Sequence, residues 1–248
     1  MTENQIIPLF VLPQGIFPYS QEPLRVFEPR YKQMLDDCVL NDSFFGYVEA
    51  DLLSKSLDGW TPPSTYGVLS KAENISEQGA NLLFTASGKE RFKIIKIIPA
   101  ALPSEKFDEV FPSVNELEEL YINQSPNGKL YLRAEIEVLP KLKGIIEDTR
   151  WENFIISWSK HIIKMNILLG SNSIDIEELI PIIKNEFCPY SESKLWDLCQ
   201  SILDTNELTQ SALAAFTSEE IMALIENTLA EKNAQIEFIR SLINKEEE

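Results

Sequence analysis

A chain of 248 residues, 44% hydrophobic and 25% charged, has the make-up of a folded globular protein, long enough for one large domain or two small ones. Its 39 acidic residues outnumber 22 basic ones for a formal net charge of −17, a field that disfavours nucleic-acid backbones and anionic membrane surfaces as partners. No window of about 18 uncharged apolar residues is present, and the opening MTENQIIPLF has no basic leader ahead of a long apolar run, so the sequence predicts a cytoplasmic chain without signal peptide or membrane span.

The first element is the apolar run over residues 6–12. Pro8 interrupts it, and because proline cannot donate to a strand ladder the pattern predicts an edge strand. Pro13, Gly15 and Pro18 then punctuate a turn, and a second extended piece over residues 23–27 stops at Glu28 and Pro29. Pro29 fits the first position of a helix, where a missing N–H costs nothing. From there Tyr31, Met34, Leu35, Cys38 and Val39 recur at helical spacing, with Lys32, Gln33, Asp36 and Asp37 opposite them. Asn41 and Asp42 end this helix, and residues 44–49 return as a strand.

Residues 51–64, with Gly59, Trp60, Pro62 and Pro63, read as a long loop. A strand opens at Tyr66 and runs towards Ile75, Gly79 turns it, and residues 81–86 bring it back. Ser87, Gly88 and Lys89 predict a second tight turn before residues 91–98 (RFKIIKII), so that the three strands form a meander. An acidic, proline-bearing stretch follows, and residues 130–139 form a further strand closed by Pro140.

From Asp148 onward the period becomes helical. Trp151, Phe154, Ile155, Trp158, Ile162 and Met165 mark one face of a long helix. A second helix over residues 173–183 carries Ile176, Leu179 and Ile180, with Pro181 near its end or kinking it, and a third carries Leu195, Leu198, Cys199 and Ile202. A shorter one covers residues 206–215. Thr217 and Glu220 spell a capping box opening the last helix, on which Ile221, Leu224, Ile225, Leu229, Ile236 and Ile239 follow before a frayed tail over 245–248. The predicted fold class is α+β: a β-rich lobe with one helix over residues 1–143, then an all-helical lobe over residues 144–248.

Several separate pieces carry a resemblance. They are P-L-F-x-L-P from Pro8 to Pro13, F-P at Phe17 and Pro18, P-L-R-V-F-E-P-R-Y from Pro23 to Tyr31, and F-G at Phe45 and Gly46. Y-G-V-L from Tyr66, G-x-x-L-L-F from Gly79, G-K-E-R-F-K-I from Gly88 and A-E-x-E-x-L-P from Ala134 to Pro140 continue them. In order and spacing the set resembles the N-terminal, substrate-binding domain of Lon-type proteases, which also occurs without the protease. The resemblance implies a PUA-like, barrel-like sheet, antiparallel or mixed, followed by a helical bundle. Residues 101–129, with Pro103, Pro112, Pro126 and Gly128 among Glu116, Glu118 and Glu119, depart from the pattern and read as an acidic insertion. Pro18, Phe27, Glu28, Arg30, Tyr31, Gly46, Gly88, Arg91 and Phe92 are pattern positions that read as structural, Glu28 and Arg30 by capping and anchoring the helix that starts at Pro29.

The search for chemistry returns little. Gly88-Lys89 and Gly128-Lys129 lack the glycine five residues earlier that a Walker loop needs, and no G-x-G-x-x-G occurs, so the ATPase part of a Lon protease is not expected here, nor its protease part. One histidine, His161, is too few for a two-histidine metal site and reads as structural. Ser191-x-x-Lys194 spells a fragment of the penicillin-binding signature without its partner motifs and reads as a helix start. Cys38, Cys188 and Cys199 form no C-x-x-C pair and read as free thiols. No catalytic group, cofactor or metal site is therefore predicted.

The leading reading is a non-enzymatic module that recognises unfolded or flexible protein segments, or a protein partner, with an adaptor in protein quality control as the role that would follow. Phe17, Tyr19, Trp60 and Tyr66, in or beside loops, are the candidate recognition surface, with burial beneath the long loop as the competing reading. A peptide could also add a strand at the Pro8 edge. RNA binding is the alternative that PUA-like folds bring in, and it would need Lys89, Arg91, Lys93 and Lys96 as a basic stripe. A hydrolase using His161 ranks last.

Overall fold

The computed structural model describes residues 5–107, 114–168 and 176–246. The described chain divides into two compact units, one of residues 1–141 with Thr209–Ala214, the other of Leu142–Leu208 with Ala215–Glu248.

The first unit is built on six strands: β1 (Gln5–Leu12), β2 (Gln21–Val26), β3 (Phe45–Ala50), β4 (Pro63–Gln78), β5 (Asn81–Ile98) and β6 (Arg133–Val138). They lie in the order β2-β5-β4-β3-β1-β6, and β6 also pairs with β5, so the sheet closes on itself. Closure removes the free edges of β5, β4, β3, β1 and β6, while β2, among the described residues, pairs with β5 alone and stays an edge. The β1–β3 pair is parallel and the others antiparallel, which makes the sheet mixed.

Two expectations fail here for identifiable reasons. β1 is not an edge strand: residues up to Pro8 pair with β6 and those from Leu9 pair with β3, so Pro8 stands where the ladder changes partner and its missing N–H is tolerated. Ser87, Gly88 and Lys89 do not turn the chain either, because β5 runs through them as one bent strand. At Gly88 the backbone of another segment comes close. Tyr19 N–H donates to Gly88 O at 3.0 Å, Gly88 N–H donates to Ser20 O at 2.9 Å, and a Cβ here would lie 2.6 Å from Phe17 O. The register between β4 and β5 shifts at this point, as expected of a glycine that marks a bulge.

Inside the barrel Ile7, Leu9, Val48, Leu69, Phe92, Ala134 and Ile136 form the core. The Phe92 ring fills the space that side chains at Gly46 and Gly67 would take, since a Cβ on either would sit 2.7 Å from its Cζ. Residues 101–129 are more than a solvated insertion. Leu102 and Phe107, the latter ending a 3-10 turn at Ser104–Phe107, belong to the same core, and Leu117, Leu120 and Tyr121 of helix α2 (Val114–Gln124) pack against it. Residues 108–113, Pro112 among them, lie outside the described residues.

Helix α1 (Pro29–Leu40) forms a second layer. Its Tyr31, Met34, Leu35 and Cys38 are buried, and the Phe10 ring meets Tyr31 edge-on at 4.3 Å between centroids, with Phe45, Tyr47 and Phe84 about it.

The second unit is helical. It comprises α3 (Asp148–Leu168), α4 (Ile176–Phe187), α5 (Glu192–Ile202), the first residues of α6 (Asn206–Ala214), and α7 (Ser218–Glu246). α3 packs on α4 and α7, and α5 on α7. The buried face of α3 is Trp151, Phe154, Ile155, Trp158 and Ile163, one residue past the expected Ile162. Glu220 N–H donates to Thr217 Oγ1 at 3.2 Å while its carboxylate accepts from the N–H groups of Phe216 and Thr217, so the capping box opens α7. Pro181 lies inside α4, and the expected beginning of that helix at residues 173–175 and the last two residues of the chain are outside the described residues.

Candidate protein-binding surface

The loop aromatics proposed from sequence part company in the structure. Phe17 is 2% exposed and Trp60 7%. Trp60 donates from Nε1 to Leu102 O at 2.9 Å and lies 5.4 Å from the Phe107 ring, so residues far along the chain bury it. Tyr66 is half-buried in β4, its backbone held by both ends of the Gln210 amide at 2.8 and 3.0 Å. Tyr19 alone of the four is openly exposed, at 50%. It does not form a surface with Phe17 and Trp60, which are core residues.

Most of the pattern positions are buried or bonded within the fold. Glu28 stands at the N-cap of α1 but its side chain makes no capping bond; it accepts instead from Arg30 Nε at 2.7 Å. The Arg30 guanidinium lies over the rings of Tyr31 and Trp60, 4.1 and 4.2 Å from their centroids, and so anchors the start of the helix to the long loop. Tyr31 donates to Val11 O at 3.0 Å, and burial pushes its hydroxyl up to about 12. Arg91 is buried and donates to Leu213 O at 2.8 Å and Pro140 O at 2.7 Å. It is therefore not part of a basic stripe. Lys93 and Lys96 stand opposite Glu137 and Glu135 across the β5–β6 ladder, and Lys89 pairs with Glu73, which breaks the stripe further. Pro18 is buried, whereas Phe27 is exposed at the entrance to α1.

What remains open is a groove that the loop aromatics did not mark. One wall is the outer side of α1, with Asp36, Val39 and Leu40 above the buried Leu35; the other is the β4–β5 hairpin, with Ile75, Ser76, Glu77 and Leu82. The groove has a volume of about 490 Å³. Leu40 is 82% exposed, Val39 55% and Ile75 41%. Val39, expected on the buried face, faces this groove instead. A bulge shapes the hairpin wall: between Glu73 and Ser76 the register with β5 shifts, and Asn74 takes the left-handed conformation at φ 54°. Lys32 Nζ, from α1, bonds Ala80 O in the hairpin turn and braces the two walls. The lining carries two carboxylates and no base.

The sheet adds one open ladder. β2 has a single strand neighbour among the described residues, and the exposed Tyr19 and Phe27 flank it in sequence. This edge, and not the one at Pro8, is where a strand could be added.

His161 Nδ1 meets Asn233 Oδ1 at 3.0 Å between α3 and α7, and Ser191 caps α5 by accepting from Lys194 N–H at 3.3 Å. No group of three or more His, Cys, Asp or Glu side chains is placed to hold a metal among the described residues, and no described helix is long and apolar enough to cross a membrane.

A closed mixed sheet with a covering helix, joined in one chain to a set of helices, defines the class of protein to which this fold belongs. Among solved structures it is similar to a Lon N-terminal domain protein from Xanthomonas campestris, with a TM-score of 0.55 and 16% identity over 90% of this chain and 98% of that one. It is also similar to the N-terminal domain of the Mycobacterium avium complex Lon protease, with a TM-score of 0.54 and 12% identity over 91% of this chain and 98% of the other. The fold is that of the Lon N-terminal domain. No protein-family model matches the sequence, and no curated protein does.

Proposed function

We propose that this chain is a protein-recognition module, without catalytic chemistry of its own, that takes flexible segments rich in aliphatic side chains and bearing lysine or arginine. The observation that carries the reading is the groove between α1 and the β4–β5 hairpin, whose walls hold exposed Val39, Leu40 and Ile75 beside Asp36 and Glu77. Aliphatic side chains left in water lower the free energy when a partner covers them, by about 25 cal/mol per Å². The two carboxylates, in a chain of net charge −17, favour basic segments and disfavour acidic ones. The likeness to the N-terminal domain of a Lon protease, an enzyme that acts on proteins, supports the same reading. Work as an adaptor for a separate ATPase–protease, in the cytoplasm, is the cellular setting in which such a module would act.

The test is fluorescence anisotropy with a labelled twelve-residue peptide of alternating leucine, valine and lysine, compared with versions in which serine replaces the aliphatics or glutamate replaces the lysines. The parent peptide binds and both altered peptides bind at least ten-fold more weakly. Leu40→Ser and Ile75→Ser, singly and as a double variant, weaken binding of the parent peptide while the melting temperature holds. Equal affinity for the double variant and the unaltered protein removes the groove from the account.

A further inference from the structure

On another side of α1 lies a second cleft, of about 320 Å³, lined by Ile6, Ile7 and Pro8 of β1, by Asp37, Cys38, Asn41 and Ser43 in and after α1, and by Lys129, Tyr131 and Arg133. In a chain with so large an acidic excess, two cations and one carboxylate in one small cleft stand out. Asp37 Oδ2 accepts from Tyr131 OH at 2.6 Å and pairs with Lys129 Nζ at 2.9 Å, so the only acid in the lining is already compensated. Arg133 is in a different state. Its Nε is buried with no hydrogen-bond partner, and it takes part in no ion pair among the described residues. A guanidinium that no carboxylate of the described residues pairs with keeps its charge for an anion entering the cleft it lines.

The cleft is also rigidly assembled. Leu130 N–H donates to Gln33 Oε1 at 2.8 Å, Ala101 N–H to Lys129 O at 2.7 Å, and Leu9 N–H to Leu132 O at 2.8 Å, which fixes the 129–132 segment against α1 and β1. Asn41 Nδ2 donates to Asp37 O at 2.7 Å and holds the end of the helix. The donors are thus placed before any ligand arrives, and ordering them costs a ligand little.

We propose that this cleft binds a carboxylate carried on a small aliphatic group, with Arg133 as the principal cation, Lys129 as the second and the exposed Ile6 beside Pro8 as the apolar wall. The charge argues for a carboxylate over a phosphate. Two cations less one carboxylate leave a single positive charge, which a monoanion neutralises and a dianion would exceed. The volume lies at the lower end of the range of small-molecule pockets, enough for an amino-acid-sized acid or the last residue of a peptide. The site is independent of the groove on the hairpin side, and substitutions at Leu40 or Ile75 leave it intact.

The experiment is a titration of the isotopically labelled full chain, followed by amide shifts, with N-acetyl-leucine, N-acetyl-leucinamide and inorganic phosphate. N-acetyl-leucine moves the amides of Ile6, Asn41 and Tyr131, and the amide analogue does not. Arg133→Gln weakens N-acetyl-leucine at least ten-fold, and Arg133→Lys, which keeps the charge, by less. Should the Arg133 variants fold poorly, Lys129→Gln, at a partly exposed position, lowers affinity at least three-fold in a folded protein. A pentapeptide ending in leucine separates two sources of the same chemistry: tighter binding than N-acetyl-leucine assigns a chain terminus, equal binding a free acid. Equal binding of the amide analogue, a preference for phosphate, or unchanged affinity in both Arg133→Gln and Lys129→Gln overturns the assignment.

Discussion

The barrel interior and the groove beside α1 treat large apolar side chains in opposite ways. In the interior, residues from loops and from the 101–129 stretch are drawn inward, so that Phe17, Trp60, Leu102 and Phe107 all become core. At the groove, a regular helix and a regular hairpin leave Val39, Leu40 and Ile75 in water. Position in a loop or in an element therefore does not decide exposure here. What decides it is whether a later segment arrives to cover the side chain. Apolar residues that no segment covers are the ones available to a partner.

The largest effect should come from the interior. Trp60→Ala deletes a ring that is hydrogen-bonded to Leu102 O, packed on Phe107 and covered by Arg30. Removing a buried tryptophan costs about 3–5 kcal/mol, and a fall in melting temperature of roughly 10 °C follows for a chain of this size. Differential scanning calorimetry checks it. A melting temperature within a degree or two of the unaltered protein would place Trp60 on the groove's side of the comparison.

A second consequence of the interior concerns alkali. Burial raises the hydroxyls of Tyr31, Tyr47 and Tyr131, that of Tyr31 from 10.0 to about 12. The unfolded chain loses these protons near pH 10 while the folded chain keeps them, so between those values the folded state binds more protons and stability falls as pH rises. The contribution is whole below pH 10 and, for Tyr31, about 3 kcal/mol smaller by pH 12. Urea denaturation at pH 8, 10 and 11.5 reads this slope. Tyr31→Phe flattens it, though the variant starts lower for want of the bond to Val11 O. A stability independent of pH over this range would mean that these tyrosines are not sealed from water.

Local patterns made α1, the faces of the helices and the Thr217–Glu220 capping box legible in the sequence, because each depends on residues within one or two turns of each other. Distance in sequence hid the rest. Trp60 meets Leu102 O across 42 positions, and nothing near Trp60 announces that contact. Pro8 carries the signature of an edge strand, yet β1 exchanges one partner for another beside it, a property of the closed sheet and not of the segment. Gly88 reads equally as a turn or a bulge until the backbone at Tyr19 and Ser20 is seen against it. Of the candidate surface, the helical wall was half visible: Val39 and Leu40 carry the apolar stripe of α1 past the width that burial of Tyr31, Met34, Leu35 and Cys38 requires. The hairpin wall depends on the bulge at Asn74, which no local motif declares.

The smallest expected effect bears on the groove itself. Leu40 lies on the last turn of α1 and is 82% exposed, so it gains almost nothing from folding. Serine at this position gives up little packing and some helix propensity, a change expected to stay within about 0.5 kcal/mol. Chemical denaturation of Leu40→Ser should therefore superimpose on that of the unaltered chain. Such neutrality says that folding alone does not call for an exposed leucine here. It separates the groove from the interior by energy, where burial had separated them by geometry. A loss of 2 kcal/mol or more, of the size seen for core positions, would mean that another part of the chain covers Leu40 in solution. The groove would then be a closed surface and the comparison would collapse.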